Sequence, residues 1–230
     1  MKSISKLAVV TIGSVALSLG IVGNGQEAHA SGLINGGFEQ TLVPSNQSWA
    51  SIDESLIPGW ETTATDNKIE IQTPRLFHGG ALGTDQYAEL NANQISTLYQ
   101  DVETTSGSTM FWRFFHRGRQ GVDTMRLSII DLATNSTLFS QIYNTDNTAW
   151  VEYQGTTVAT GGTTRWQFDS VAAAGGNPTI GNFLDEVYFA EKPPEGFQTV
   201  PEPASVLGLL AMGAFGMIST RKRKQLNIGN

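Results

Sequence analysis

The sequence predicts an all-β fold, an antiparallel β-sandwich, lying between a helical segment at each end, and three observations carry that reading. Between Ser31 and Lys192 no stretch shows a sustained 3.6-residue hydrophobic period or a capped helix. The same region holds many short runs rich in β-branched and aromatic residues, separated by Gly, Asn, Asp and Thr turns, as sandwiches and barrels require. The chain also has no cysteine, so disulfides cannot replace a core and thiolate chemistry is excluded.

Taken in order, Leu33 and Ile34 read as a short strand, and Gly36-Gly37 lets the backbone bend before Phe38 turns into the core. Residues 40–56 are polar and read as a long loop. In Ile57-Pro58-Gly59-Trp60 the Pro-Gly pair marks a turn that presents an aromatic ring. Residues 69–71 and 86–90 are strand-like, with a Gly-rich loop at 79–83 between them. Residues 97–103 alternate, with Leu98, Gln100 and Val102 on one face. An apolar strand over 109–116 turns at Gly118 to Gly121 into 123–131, where Met125, Leu127 and Ile129 share a face. Strand signals recur at 138–143, 150–158, 163–170 and 182–189, with no internal repeat. Residues 191–199 form a Pro-containing linker.

Both ends read as processing segments. Lys2 and Lys6 precede an apolar run from Leu7 to about Val22, and Ala28-His29-Ala30 offers signal peptidase its small residues. Residues 1–30 are thus expected to be a secretory signal, with the domain spanning 31–190. At the other end, Pro201 and Pro203 hold Val200 and Glu202 in extended geometry. The uncharged run 204–220 is at the short end of the ~17–25 residues that cross a bilayer. Arg221, Lys222, Arg223 and Lys224 follow, and by the positive-inside rule they keep the C-terminus cytoplasmic and the domain outside.

The order Val200-Pro201-Glu202-Pro203, apolar helix, basic cluster resembles the PEP-CTERM sorting signal of exported Gram-negative bacterial proteins. The resemblance implies a membrane-anchored intermediate that an exosortase, a membrane-embedded cysteine protease or transpeptidase, cuts near the Pro-Glu-Pro. The product would go to the cell envelope, the surface or the extracellular matrix. A plain single-pass anchor is the other reading of the same residues.

The formal charge of −7 becomes more negative once the basic ends are removed. Such a domain repels phosphate backbones, which argues against nucleic-acid partners, and its carboxylates suit calcium. There is no G-x-S-x-G elbow, no H-E-x-x-H and no phosphate-cradling glycine loop. A glycosidase needs only two carboxylates at a set separation, and Glu70 with Glu89 stands as that pair.

Two constellations point to ligands. His116, Arg117, Arg119 and Asp123 sit on one hairpin. They read either as a recognition loop whose arginines take uronic-acid carboxylates, or as an Arg–Asp pair that fixes the hairpin register. Of the five tryptophans, Trp112, Trp150 and Trp166 read as core. Trp49 and Trp60 lie in loop-like sequence as platforms for sugar rings, although Trp60 reads equally as a cap on the sandwich.

The opening Leu33-Ile34-Asn35-Gly36-Gly37-Phe38-Glu39, the middle Gln86-Tyr87-Ala88-Glu89-Leu90-Asn91 and the closing Phe183-Leu184-Asp185-Glu186-Val187-Tyr188-Phe189 resemble the galactose-binding-like jelly rolls. Many carbohydrate-binding modules have that architecture. The resemblance implies adjacent first and last strands, and a structural calcium on Glu39 and Asp185 completed by backbone carbonyls. Solvated strand-end carboxylates are the alternative for both. The function expected is a non-catalytic module that binds matrix exopolysaccharide. A purely structural surface or matrix protein and a carbohydrate-active hydrolase are the alternatives.

Overall fold

A computed structural model describes residues 32–75 and 79–198. The secretory signal with Ala28 and Ala30, the sorting residues Val200 to Pro203, the apolar run 204–220 and the basic cluster 221–224 lie outside the described residues. Among the described residues, no helix is long and apolar enough to cross a membrane.

Among the described residues, eleven strands form two antiparallel sheets. They are β1 (Trp49–Asp53), β2 (Glu61–Thr62), β3 (Lys68–Gln72), β4 (Tyr87–Glu89), β5 (Thr97–Thr104), β6 (Thr109–Arg117), β7 (Asp123–Asp131), β8 (Ser136–Thr145), β9 (Val151–Val158), β10 (Gly162–Ala172) and β11 (Phe183–Ala190). One sheet has six strands in the order β1-β3-β4-β11-β6-β9, the other five in the order β2-β5-β10-β7-β8. This is the all-β sandwich of the jelly-roll kind that the sequence predicts.

The alternation in the sequence decides what faces inward. Leu98 and Val102 of β5, Met125, Leu127 and Ile129 of β7, and Trp166 and Phe168 of β10 are buried. They meet Ile69, Ile71, Met110, Trp112, Phe114, Leu184 and Phe189 of the six-stranded sheet in one apolar cluster. Gln100 also faces inward for a specific reason. Its side chain accepts from Ile34 N at 2.8 Å and donates to Ile34 O at 3.0 Å, completing the backbone bonds of that residue.

Three local expectations change. Leu33 and Ile34 are not a strand; the segment is tied to the last strand by Leu33 N donating to Phe189 O and by Gly36 O accepting from Val187 N. The stretch 40–56 is not all loop, because β1 pairs along β3 from Trp49↔Gln72 to Asp53↔Lys68. As a five-residue edge strand, Trp49-Ala50-Ser51-Ile52-Asp53, with no fully buried face, it mixes apolar and polar side chains too briefly to stand out from the polar stretch around it. The two-residue β2 leaves no pattern at all.

Gly36 explains the Gly-Gly signal. β11 bulges between Asp185 and Tyr188, and the Gly36 turn fills the bulge so closely that a Cβ would meet Val187 O at 1.8 Å. The first and last segments of the domain are therefore adjacent, as the jelly-roll resemblance implies.

Candidate functional site

Strand alternation places Glu70 and Gln72 of β3, Tyr87 and Glu89 of β4, Phe183 and Asp185 of β11, and Phe115 and Arg117 of β6 on the outer face of the six-stranded sheet. Outer faces are usually solvated, yet all eight side chains are buried. Glu70 and Glu89 are direct cross-strand partners. The Gln72 Nε2 amide donates to both, at 2.6 Å and 2.7 Å. Arg119 reaches in from the hairpin, with Nη1 at 2.8 Å from each Glu89 oxygen. Gly181 N adds a further donor to Glu89 at 2.7 Å. Burial, then the adjacent Glu89 carboxylate, push the Glu70 carboxyl up to about 8.

That network settles the status of the carboxylate pair. Both glutamates lie within hydrogen-bonding reach of one nitrogen, and the Gln72 amide fills the space between them. Glycoside hydrolysis needs a sugar in that space and ~5–9.5 Å between the carboxyl groups. Glu70 and Glu89 tie β3 and β4 to the Arg119 turn and to the loop before β11.

The hairpin residues are likewise engaged inside the molecule. Arg119 pairs with Glu89, and its own backbone N donates to Asp123 at 2.7 Å. Asp123 also accepts from Ala174 N and Asn182 N, so a buried carboxylate ties the β6–β7 turn to the β10–β11 connection. Arg117 Nη2 donates to the carbonyls of Asn147 and Thr148. His116 lies on the core side, Nδ1 at 2.8 Å from Thr145 Oγ1 and Nε2 at 3.0 Å from Asn182 Oδ1. Because the Asn182 amide nitrogen is turned to Asn91, Ser170 and Ala172, its oxygen faces the ring, and Nε2 carries the proton. Burial lowers the His116 pKa to about 4.

Trp60 is a core residue and not a platform. It is 1% exposed, stacks on Phe38 at 5.0 Å, and donates Nε1 to Asn35 O at 2.9 Å. The capping alternative describes it. Trp112 and Trp166 are core as expected. Trp150 departs from expectation: half-buried on the outer side, it meets the Tyr87 ring edge-on at 5.3 Å and donates to Gly79 O.

Trp49 is different. It is 45% exposed and, opposite Gln72, belongs to the same outer face at the open edge of the sheet. Asn46, Gln47, Ser48, Trp49, Ala50 and Ser51 line a groove of about 460 Å³ there. Thr73 anchors its floor, with backbone N and Oγ1 both donating to Ser48 O. An aromatic ring flanked by amides and hydroxyls, without a charge, is the result.

Glu39 and Asp185 grip one loop from two sides. Glu39 Oε1 accepts from Asp85 N and Gln86 N, each at 2.8 Å. Asp185 Oδ2 accepts from Ala81 N and Thr84 Oγ1, each at 2.7 Å. Burial raises Asp185 to about 8 despite those donors. Among the described residues, no three acidic or histidine side chains converge as a metal cluster. The loop groups that face these two carboxylates are N–H and hydroxyl donors, while carboxylate oxygens as such are the donor type a hard cation takes.

The tail matches the PEP-CTERM protein-sorting motif over residues 199–224. That motif implies export, a membrane-anchored processing intermediate and exosortase processing. None of the curated proteins matches the chain. Solved structures similar in fold include a family 35 carbohydrate-binding module from Clostridium thermocellum, at 12% identity and TM-score 0.40, covering 62% of this chain and 98% of that one. The CBM22-1–CBM22-2 tandem domain from Paenibacillus barcinonensis Xyn10C matches at 14% identity and TM-score 0.45, over 66% of this chain and 53% of that one. The CBM22-1–GH10 modules of Clostridium thermocellum endo-1,4-β-D-xylanase 10B match at 18% identity and TM-score 0.40, over 62% of this chain and 27% of that one.

Proposed function

We propose that this is a non-catalytic, glycan-binding protein of the cell envelope or extracellular matrix, and that its binding site is the Trp49 groove. The observation that carries the reading is an exposed indole set among Asn46, Gln47, Ser48 and Ser51 at an open sheet edge. A sugar ring stacks its C–H face on such a ring, while amides and hydroxyls exchange hydrogen bonds with its hydroxyls. The described lining residues carry no charge, and the domain as a whole is acidic. A neutral polysaccharide therefore fits better than an acidic one. Arg117 and Arg119, the candidates for uronic acids, are committed to internal partners.

Affinity electrophoresis through neutral and acidic polysaccharide gels tests this. The protein is expected to be retarded by a neutral glycan, and Trp49→Ala to weaken binding roughly 30-fold, as loss of a hot-spot tryptophan does. Trp60→Phe is expected to change stability and leave the glycan affinity in place. Retardation by no glycan, or retardation indifferent to Trp49, would sink the reading and favour a structural matrix protein without a ligand.

We also infer that calcium occupies the Glu39–Asp185 region. The support is that Asp185 is a fully buried carboxyl holding the same loop as Glu39, where a bound cation would offset the cost of burying charge.

A further inference from the structure

Among the described residues, four strands lie at sheet edges: β1 and β9 of one sheet, β2 and β8 of the other. An edge presents a row of N–H and C=O groups that another extended strand can pair with, and shortness or charge keeps such strands away. Three of the edges are guarded in this way. β2 is two residues long, β1 is five and ends in the exposed Asp53, and β9 carries the exposed Glu152. β8 is ten residues, Ser136 to Thr145, without a charge or a proline.

The pairing of β8 with β7 shifts register at Leu138, the extra residue of a bulge. It then runs unbroken from Phe139↔Ile129 to Thr145↔Asp123. Ile142 is the middle of that regular stretch. It is 52% exposed and shares the outer face with the exposed Ser140 and Asn144. Its β7 partner, Arg126, is held by Asp169 at 2.9 Å.

We propose that β8 is a self-association edge, occupied by β8 of a second copy of this chain, antiparallel about a two-fold axis at Ile142. That axis sets Ile142 opposite its own copy, Ser140 opposite Asn144 and Phe139 opposite Thr145. A β-branched pair thus lies at the centre, with a hydroxyl–amide pair beside it and no charge between the strands. The stretch is complementary to itself about its own middle, which is what an isologous contact requires. Net negative charge sets two copies of this domain against each other, so they approach best along an uncharged edge. The two five-stranded sheets become one of ten strands. Trp49 belongs to β1, and the six-stranded sheet ends in β1 on one side and in β9, the strand that follows β8, on the other. Pairing through β8 therefore leaves the Trp49 groove of each copy uncovered.

The chain has no cysteine, so a single introduced one reports proximity. The full chain carrying Ile142→Cys, mildly oxidised in bacterial membranes, is expected to run as a disulfide-linked dimer on a non-reducing gel, because residues opposed across antiparallel strands come within reach of a disulfide. Val158→Cys, at a position 61% exposed on the β9 edge, is expected to cross-link roughly tenfold more slowly, since it gains no effective concentration from the pairing. In detergent, sedimentation of the unaltered full chain should show a dimer, and Ile142→Lys, which sets two like charges face to face, should weaken it roughly tenfold or more. Both substitutions are at an exposed side chain, and an unchanged melting temperature checks the fold. Equal cross-linking of the two cysteine variants, which association through the tail would give, overturns the proposal, as does cross-linking of neither. An unaltered chain that sediments as a monomer, or a dimer that Ile142→Lys leaves intact, also overturns it.

Discussion

Glu70 and Asp185 are carboxyl groups held out of water, and both retain a proton at a pH where an exposed carboxylate has lost it. Their folded-state values stand near 8 against ordinary values of 4.5 and 3.8. Between those limits the unfolded chain has released the proton and the native one keeps it. Raising pH therefore favours unfolding, and their stabilising contribution is lost as pH rises through about 8. His116 acts oppositely at lower pH: ordinary at 6.5 and held at about 4, it withdraws stability as pH falls through that window. From pH 6.5 to 8.5 the carboxyls act without it, so without added calcium the melting temperature should fall across that range. Glu70→Gln should remove about half of the slope, since it deletes one of the two displaced groups. A slope unchanged in Glu70→Gln, read by calorimetry, would show that Glu70 ionises as an ordinary carboxyl. Nothing in the sequence announces this burial. Ile69-Glu70-Ile71 reads as a strand with its glutamate in solvent, because alternation reports two faces without saying what covers the second. The long-range donors of Arg119 and Gly181, which make burial tolerable, are invisible to local pattern.

At the scale of elements, the loop between β3 and β4 depends on two acids from distant strands and turns. Glu39 and Asp185 reach it through four donors, from Ala81, Thr84, Asp85 and Gln86. If calcium holds these acids together, removing it with EGTA should lower the melting temperature by several degrees, at ~2–4 °C per kcal/mol for a domain of this size. Added calcium should also cancel the part of the alkaline destabilisation that belongs to Asp185, because a bound cation keeps that carboxylate ionised. Identical melting curves with calcium and EGTA, at neutral and alkaline pH, would leave hydrogen bonds as the whole account of the loop. The sequence was legible here in proportion to how far short motifs constrain backbone. Gly36-Gly37 and the closing Asp185 announced a juxtaposition of first and last segments, and the bulge at Val187 requires it. The hairpin turn was also legible, but not the partner of its side chain, since Arg119 meets Asp123 through its backbone N and sends its guanidinium to Glu89 on another hairpin. Strand β1, which carries the candidate binding ring, was lost in a polar stretch.

For the molecule as a whole, the two sheets share one core. Ile71, Trp112 and Leu184 from one meet Val102, Leu127 and Trp166 from the other, with Phe38 and Trp60 closing one side. Neither sheet can keep its inner face buried without the other, so local loss of one face exposes the whole cluster. The last strand ends at Ala190, and the sorting motif begins at residue 199. The contacts of the linker residues Glu195 and Phe197 lie on the outside of β6. Sorting and folding are thus assigned to different stretches of chain, which is why both were readable: one from the linear order of the tail, the other from repeated alternation. What was not readable is the surface, because an exposed groove is made by residues that no period distinguishes from ordinary loop. The division predicts that residues 32–198, expressed without either end, fold alone and unfold in a single transition. Calorimetry should give equal calorimetric and van't Hoff enthalpies, on the order of 110 kcal/mol at ~0.7 kcal/mol per residue. Two resolved transitions, or a calorimetric enthalpy well above the van't Hoff value, would mean that the sheets are held separately. The loops tied by Asp123 and Glu89, and not the apolar cluster, would then be what joins them.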